Sequence, residues 1–201
     1  MAERTIGTLI HAHLQEGARV KERTAEACTR DIEAAVAMVA SSFSTGGKLL
    51  LCGNGGSAGD CQHIAAEFTS VLRQDYLRPG LPAIALTTDT SFLTARGNDF
   101  GFAGIFSRLV ESLGKQGDVL ICISTSGNSE NVCAAMLAAK QQGLGTIVLT
   151  GEKGGKLANM AQVVIRVPSG KVQHIQETHI AIGHILCQAV EEQLFPKPLL
   201  S

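Results

Sequence analysis

Short apolar runs alternate with amphipathic segments along most of this chain. Continuous apolar runs of this length are typical of strands that are buried on both faces of a parallel sheet. The runs are KLLLCG (48–53), PAIAL (82–86), DVLICIS (118–124), GTIVLTG (145–151) and QVVIRVP (162–168). Helical periodicity predicts helices between and after them, at 57–71, 89–97, 102–114, 129–142, 154–160 and 172–195.

Two further helices are predicted before the first strand, at 4–22 and 26–43. The second has one apolar face with residues at three-to-four spacing, namely Ile32, Ala35, Val36, Val39 and Phe43. Strand–helix alternation predicts an α/β fold: a three-layer, doubly wound parallel sheet with two N-terminal helices and a long C-terminal helix. Since no linker or low-complexity tract divides the chain, we expect one domain over 1–201, with a helical segment at 1–45 and a core at 46–201.

Composition and charge exclude several classes of function. The chain has 201 residues, a net charge of −1 and only 4% aromatic residues, so a nucleic-acid ligand is not expected. The N-terminus lacks the apolar core of a signal peptide and the apolar runs are too short to span a bilayer, so we expect a cytoplasmic protein with no membrane partner. The six cysteines lack metal-knuckle spacing, which favours reduced structural thiols.

Two loops rich in glycine and hydroxyl groups follow strand-like runs, GNGGS (53–57) and STSGNS (124–129). Ligands of open parallel sheets bind at the carboxyl ends of strands, and such loops place N–H and hydroxyl donors at a helix N-terminus, which suits phosphate. The first loop also fits a relaxed dinucleotide fingerprint, but the next strand ends in Thr87 and Thr88 instead of an acidic residue. No P-loop motif is present, and an ordinary strand–helix turn remains an alternative for both loops.

Candidate acid–base residues lie on two predicted helices. His63 and Glu67 are four residues apart, on one face of the helix behind the first loop, although such a pair is also common on solvated surfaces. The segment HIQETHIAIGH (174–184) places polar groups on an otherwise apolar helix, where they need partners. Its candidates are Gln176, Glu177, His179 and His184, and spacing alone does not choose among them.

Five stretches together resemble the phosphoheptose isomerases, which are SIS domain (sugar isomerase) enzymes. They are CGNGGSAGDCQHIAAEF (52–68), GNDFGF (97–102), GDVLICISTSGNSENV (117–132), LTGEKGGK (149–156) and IQETHIAIGHI (175–185). The resemblance implies a SIS-type fold and an aldose–ketose isomerase acting through a cis-enediol(ate). The implied reaction converts sedoheptulose 7-phosphate to D-glycero-D-manno-heptose 7-phosphate, the first step of ADP-heptose and lipopolysaccharide core heptose biosynthesis.

The resemblance also implies roles for individual residues. Glu67 is the expected base and His184 the expected acid. One zinc ion per subunit, at partial occupancy, is expected on His63, Glu67, Gln176 and His184. The expected substrate-binding residues are Asn54, Gly55, Gly56, Ser57, Glu67, Asn98, Asp99, Ser124, Thr125, Ser126, Ser129 and Gln176; the serines and Thr125 hold the phosphate, and Asn98 and Asp99 reach in from a neighbouring loop. A homotetramer with active sites at subunit interfaces is implied as well.

A non-catalytic function is the alternative. Some SIS domain proteins that resemble this chain bind a replication initiator protein, and the ending LFPKP (194–198) is similar to that group. Since at least one such relative lacks the acid–base residues, the presence of Glu67 and His184 favours the isomerase.

Overall fold

The structure, a computed structural model, describes residues 5–75 and 77–196. The helices span Ile6–Ser44 (α1), Gly56–Thr69 (α2), Thr90–Phe100 (α3), Ile105–Leu113 (α4), Glu130–Gln141 (α5) and Val172–Leu194 (α6). The strands span Leu49–Gly53 (β1), Ala83–Ala85 (β2), Val119–Ile123 (β3), Gly145–Gly151 (β4) and Val163–Val167 (β5), and two 3₁₀ turns lie at Phe102–Gly104 and Leu157–Asn159.

The five strands form one parallel sheet in the order β2-β1-β3-β4-β5. In the register between β1 and β3, Leu49 pairs with Val119 and Gly53 pairs with Ile123, so the two strands end side by side. The chain passes from β1 to β2 on one side and returns to β3 on the other. The boundary between β1 and β3 is therefore the switch point of the sheet, where open α/β sheets bind ligands.

Alternating side chains of the strands fill two hydrophobic clusters, one on each face of the sheet. Leu49 and Leu51 of β1 pack into the cluster that α1, α2 and α6 cover. Leu50 and Cys52 pack into the opposite cluster, which α4 and α5 cover. The structure thus confirms the predicted three-layer, doubly wound α/β fold.

The N-terminal region differs from the prediction of two helices. α1 is one continuous helix, with no break at residues 23–25. These residues include neither glycine nor proline, and the buried Thr24 hydroxyl donates to the carbonyl of Val20 within the helix. One buried stripe continues through the expected break and packs on α6 and β5, with members Gly17, Val20, Thr24, Cys28, Ile32, Ala35 and Val39.

Two other predicted helices also need correction. The segment 154–160 forms only the short 3₁₀ turn, because Gly154 and Gly155 both adopt positive φ angles (70° and 59°) that an α-helix excludes. The segment 102–114 divides into the first 3₁₀ turn and α4. The strands, α2, α5 and α6 lie within one or two residues of their predicted positions.

The state of the cysteines and the character of the helices agree with what the composition predicts. All six cysteines are free thiols, and five of them are buried. In the described part of the chain, none of the helices combines the length and apolar character that crossing a bilayer requires.

Candidate active site

The two glycine- and hydroxyl-rich loops meet at the switch point. The side-chain amides of Asn54, after β1, and Asn131, in the first turn of α5, form a reciprocal pair of hydrogen bonds of 2.8 and 2.9 Å. The strands can approach here because Gly53 has no Cβ; a methyl group at that position would lie 2.9 Å from the carbonyl oxygen of Ile123. The turn of Asn54, Gly55, Gly56 and Ser57 is thereby fixed beside the start of α5.

The loop after β3 gathers hydroxyl groups and backbone N–H groups at the N-terminus of α5. Ser124 and Ser129 share a hydrogen bond between their hydroxyls of 3.0 Å, and Ser126 Oγ accepts from the backbone N–H of Asn128 at 3.2 Å. Ser129 is the N-cap residue of α5, but its side chain makes no capping hydrogen bond. The first-turn amides and these hydroxyls form a donor group that suits a dianion.

The same loop packs backbone against backbone on the loop that follows β4. Gly127 and Gly155 have φ angles of +66° and +59°, and a Cβ on Gly127 would overlap the carbonyl oxygen of Gly154. A cavity of about 460 Å³ opens beside Thr125 and Ser126 and extends to the start of α6. The glycines of the LTGEKGGK stretch therefore support the shape of the loop after β3.

His63, Glu67 and His184 form a compact group between α2 and α6. The Nε2 atoms of the two histidines are 3.0 Å apart, and His63 Nε2 is 3.3 Å from Glu67 Oε1. One ligand atom from each residue lies within 4.8 Å of the others. The Glu67 side chain is only 22% exposed, whereas His63 is half exposed. Two imidazole nitrogens and a carboxylate are a donor set that suits zinc and several other divalent ions.

The close approach of α2 and α6 creates this group. Gly183, directly before His184, is buried, and a Cβ there would lie 2.6 Å from side-chain atoms of Ile64, the residue after His63. Nearer the start of both helices, a Cβ on Gly56 would lie 2.6 Å from the Gln176 amide nitrogen. The two helices therefore run side by side in the same direction, and Gln176 lies against the first loop.

The other polar candidates of α6 lie elsewhere. His179 is fully buried, its Nε2 donates to the Thr150 carbonyl at 3.3 Å, and burial lowers its pKa to about 4, so that it is neutral. Glu177 contacts α1, where it pairs with His13 at 2.7 Å. Burial tends to raise the pKa of Glu177, but hydrogen bonds from His174 and His13 outweigh it, so the pKa is lowered.

Asn98 and Asp99 lie in the last turn of α3, so their predicted position in a loop is wrong. Both are exposed, and the Asn98 amide donates to Asp99 Oδ1 at 2.9 Å. α3 begins at Asp89, whose side chain caps the helix by accepting from the N–H of Phe92. It continues past Asn98 and Asp99 and ends only at Gly101, which has a φ of +85°.

Asp60 is a further candidate that the sequence pattern does not predict. It lies one turn before His63 on α2, and its Oδ2 is buried with no hydrogen-bond partner among the described residues. Burial raises the pKa of Asp60 to about 6, and the nearby His63 opposes the rise. The sequence gives no sign of this burial, which depends on how α2 packs.

A second missed feature is a buried ion pair at the end of α2. Arg78 and Glu191 are each 1% exposed and lie 2.6 Å apart. The guanidinium also donates to the carbonyls of Glu67 at 2.8 Å and Phe68 at 2.7 Å. It thus satisfies carbonyls in the last turn of α2 and fixes the backbone that carries Glu67.

Comparisons with known proteins agree with this architecture. The SIS domain family matches residues 12–151. A phosphoheptose isomerase of Roseiflexus sp. is 53% identical over 176 residues, which is 88% of each chain. Solved phosphoheptose isomerases from Neisseria gonorrhoeae (42% identical, TM-score 0.88) and Francisella tularensis (38% identical, TM-score 0.90) each match 94% of this chain over their whole length. The chain therefore belongs to the SIS domain family and, within it, to the phosphoheptose isomerases.

Replacing Gly183 by alanine should loosen the packing of α2 on α6. The added methyl overlaps Ile64, and overpacking of a core costs about 1–3 kcal/mol, which exceeds the gain of up to about 1 kcal/mol from better helix propensity. We expect a lower free energy of unfolding, measured by urea denaturation.

Gly59→Ala on α2 is the matched control, because a Cβ there meets nothing within 4 Å. It should stabilise the protein by about 0.5–1 kcal/mol. Equal effects of the two substitutions would contradict the close contact at Gly183.

Proposed function

We propose that this protein is an aldose–ketose isomerase that converts sedoheptulose 7-phosphate to D-glycero-D-manno-heptose 7-phosphate. The observation that carries the proposal is the His63–Glu67–His184 group between α2 and α6. α2 starts at the first of the two glycine- and hydroxyl-rich loops that meet at the switch point. The relatives named phosphoheptose isomerase, 53% and 42% identical to this chain, support the same reaction and substrate.

In this proposal the loop after β3 holds the substrate phosphate. Ser124, Thr125, Ser126 and Ser129 donate hydroxyl hydrogen bonds, and the first-turn amides of α5 add N–H donors. Ser57, buried in the first turn of α2, completes the set. Binding the non-reacting phosphate fixes the far end of the sugar and so lowers the entropic cost of placing the reacting carbons.

The proton transfer falls to Glu67 and His184. Glu67 takes the proton from C1 of the ketose and returns it to C2 through a cis-enediol(ate), while His184 moves protons at the two oxygens. The buried Arg78 fixes the end of the helix that carries Glu67. The Glu67 side chain is still 22% exposed, so a proton held on its carboxylate can exchange with solvent. Asn54, Gly55, Gly56 and Gln176 are the proposed contacts of the sugar, supported by the position of Gln176 against the first loop. Asn98 and Asp99 are assigned to the site by family resemblance alone.

The donor set fits the expected zinc ion. His63, Glu67 and His184 place three ligand atoms within 4.8 Å, and Gln176 is the proposed fourth ligand, so one ion per subunit at partial occupancy is part of the proposal. When bound, the ion supplies Lewis-acid stabilisation of negative charge on the substrate oxygens.

Assembly into a homotetramer is also part of the proposal. α1 exposes an apolar stripe at four-residue spacing, with Ile6 77%, Ile10 53% and Leu14 67% exposed. An apolar groove of about 540 Å³ lies between α1 and α6. Exposed apolar surface of this kind favours a protein partner. The proposal also includes a cytoplasmic location and a single domain over 1–201. The proposed reaction is the first step of lipopolysaccharide core heptose synthesis.

The initiator-binding alternative is not favoured. Both acid–base residues are present and lie together between α2 and α6, and the relatives described above are named isomerases. Of the LFPKP ending, Lys197 and Pro198 lie outside the described residues.

Glu67→Gln should abolish most of the isomerase activity. The amide keeps the shape of the side chain but removes its basicity, so turnover of sedoheptulose 7-phosphate should fall by about 10²-fold or more. The measurement is a steady-state assay across ketose phosphates of different chain length. Glu22→Gln, on the exposed side of α1, is the control, and wild-type turnover in Glu67→Gln would refute the assignment of the base.

Ser126→Ala should weaken binding of the phosphosugar. Losing one donor to a dianion costs about 1.5–3 kcal/mol, which corresponds to a KM increase of about 10- to 150-fold. The exposed Ser112→Ala on α4 should leave KM unchanged. If Ser124→Ala, Ser126→Ala and Ser129→Ala all keep the wild-type KM, the loop is an ordinary turn and the phosphate is bound elsewhere.

His63→Ala should remove one equivalent of zinc, together with activity, because it deletes an imidazole ligand. Metal analysis after zinc reconstitution measures the difference from the wild type. Equal zinc content in both proteins, or full activity of zinc-free wild type, would reject the proposed zinc site.

Light scattering at micromolar concentration should give the mass of four chains. Ile10→Lys places a charge in the apolar stripe of α1 and should reduce that mass, whereas Glu22→Gln should not. A monomer mass for the wild type would refute the assembly.

A further inference from the structure

A second group of metal-ligating side chains lies between α1 and α6. His13 of α1 and His174 of α6 each contact a different oxygen of Glu177: His13 Nε2 is 2.7 Å from Oε1, and His174 Nδ1 is 3.1 Å from Oε2. The two imidazole rings are 4.5 Å apart. No residue of this group belongs to the proposed acid–base or zinc set.

The local packing positions these side chains closely. The side chain of His174 is only 3% exposed, and Glu177 follows it by one turn on the same helix. Gly17, one turn after His13, is buried, and a Cβ there would lie 3.0 Å from Glu177 Oε2 and 3.7 Å from His174 Nδ1. Glycine is unfavourable inside a helix, but here it leaves the space that the carboxylate and the imidazole occupy.

The chemistry of the group matches a zinc-type site. One ligand atom from each of the three residues lies within 4.8 Å of the others. Two histidines and one glutamate are a known protein ligand set for zinc, with water in the fourth position. One nearby cation is Lys21, whose Nζ lies 4.0 Å from the Cβ position of Gly17. It is on an exposed, flexible side chain that can move away when a metal binds.

We propose that His13, His174 and Glu177 form a second binding site for a divalent transition-metal ion, which ties α1 to α6. The bound ion replaces the direct contacts between the imidazoles and the carboxylate with three metal–ligand bonds. Since the ligands come from two helices far apart in sequence, metal binding stabilises the packing of the N-terminal helix on the C-terminal one.

The test is zinc binding to the full chain in a His63→Ala background, which removes the other candidate site. Calorimetric titration with zinc alone and metal analysis after dialysis should give one equivalent in His63→Ala. Adding His13→Ala should lower the zinc affinity by more than the 10- to 100-fold typical of second-shell changes, because it removes a direct ligand. Adding His11→Ala, an exposed histidine on the same helix, should leave one equivalent bound.

Thermal unfolding gives an independent readout. Zinc should raise the Tm of His63→Ala and of His63→Ala/His11→Ala, but not that of His63→Ala/His13→Ala. Glu177→Gln replaces His13→Ala if circular dichroism shows that the latter does not fold. No zinc bound to His63→Ala, or an equivalent retained after His13 is replaced, would overturn the proposal.

Discussion

The site depends on one constraint, the close packing of α2 against α6 at Gly183. The absence of a side chain at this position lets Ile64 lie against the α6 backbone. The residues on either side of this contact, His63 and His184, then lie 3.0 Å apart, and Glu67 joins them from the next turn of α2. The buried Arg78–Glu191 pair holds the far end of α2 against α6, so the helix is fixed at both ends of the group.

The sheet topology supplies the rest of the site. Because β1 and β3 are adjacent and end side by side, the loops after them meet, and the Asn54–Asn131 amide pair joins them. One loop starts α2, which carries Glu67, and the other starts α5, whose first turn offers donors to an anion. The same short stretch of sheet edge therefore positions the proposed phosphate and proton-transfer groups together. α6 contributes from the same face of the sheet as α2, and α1 covers α6 in turn.

The sequence predicted the parts of this structure that local patterns encode. All five strands were predictable, because strands buried on both faces are continuously apolar. The continuity of α1 was not, since a helix that spans residues 23–25 depends on Thr24 being buried against the rest of the fold. In the site, the spacing of His63 and Glu67 predicted a pair on one helix face. Which of Glu177 and His184 joins the site depends on which helix packs against α6 at that position. Glu177 faces α1 and His184 faces α2, and the spacing of residues along α6 does not reveal this. Asp60 and Arg78 were missed for the same reason, because burial defines their roles.

In the proposed mechanism, Glu67 and His184 move a proton between neighbouring carbons of a sugar phosphate. The most direct test is conversion of sedoheptulose 7-phosphate in D₂O, followed by NMR. A proton held on a carboxylate exchanges with solvent, so we expect deuterium at C2 of the aldose product and at C1 of recovered ketose, and neither in Glu67→Gln. Conversion without solvent deuterium at either carbon, or unchanged exchange in Glu67→Gln, would contradict it.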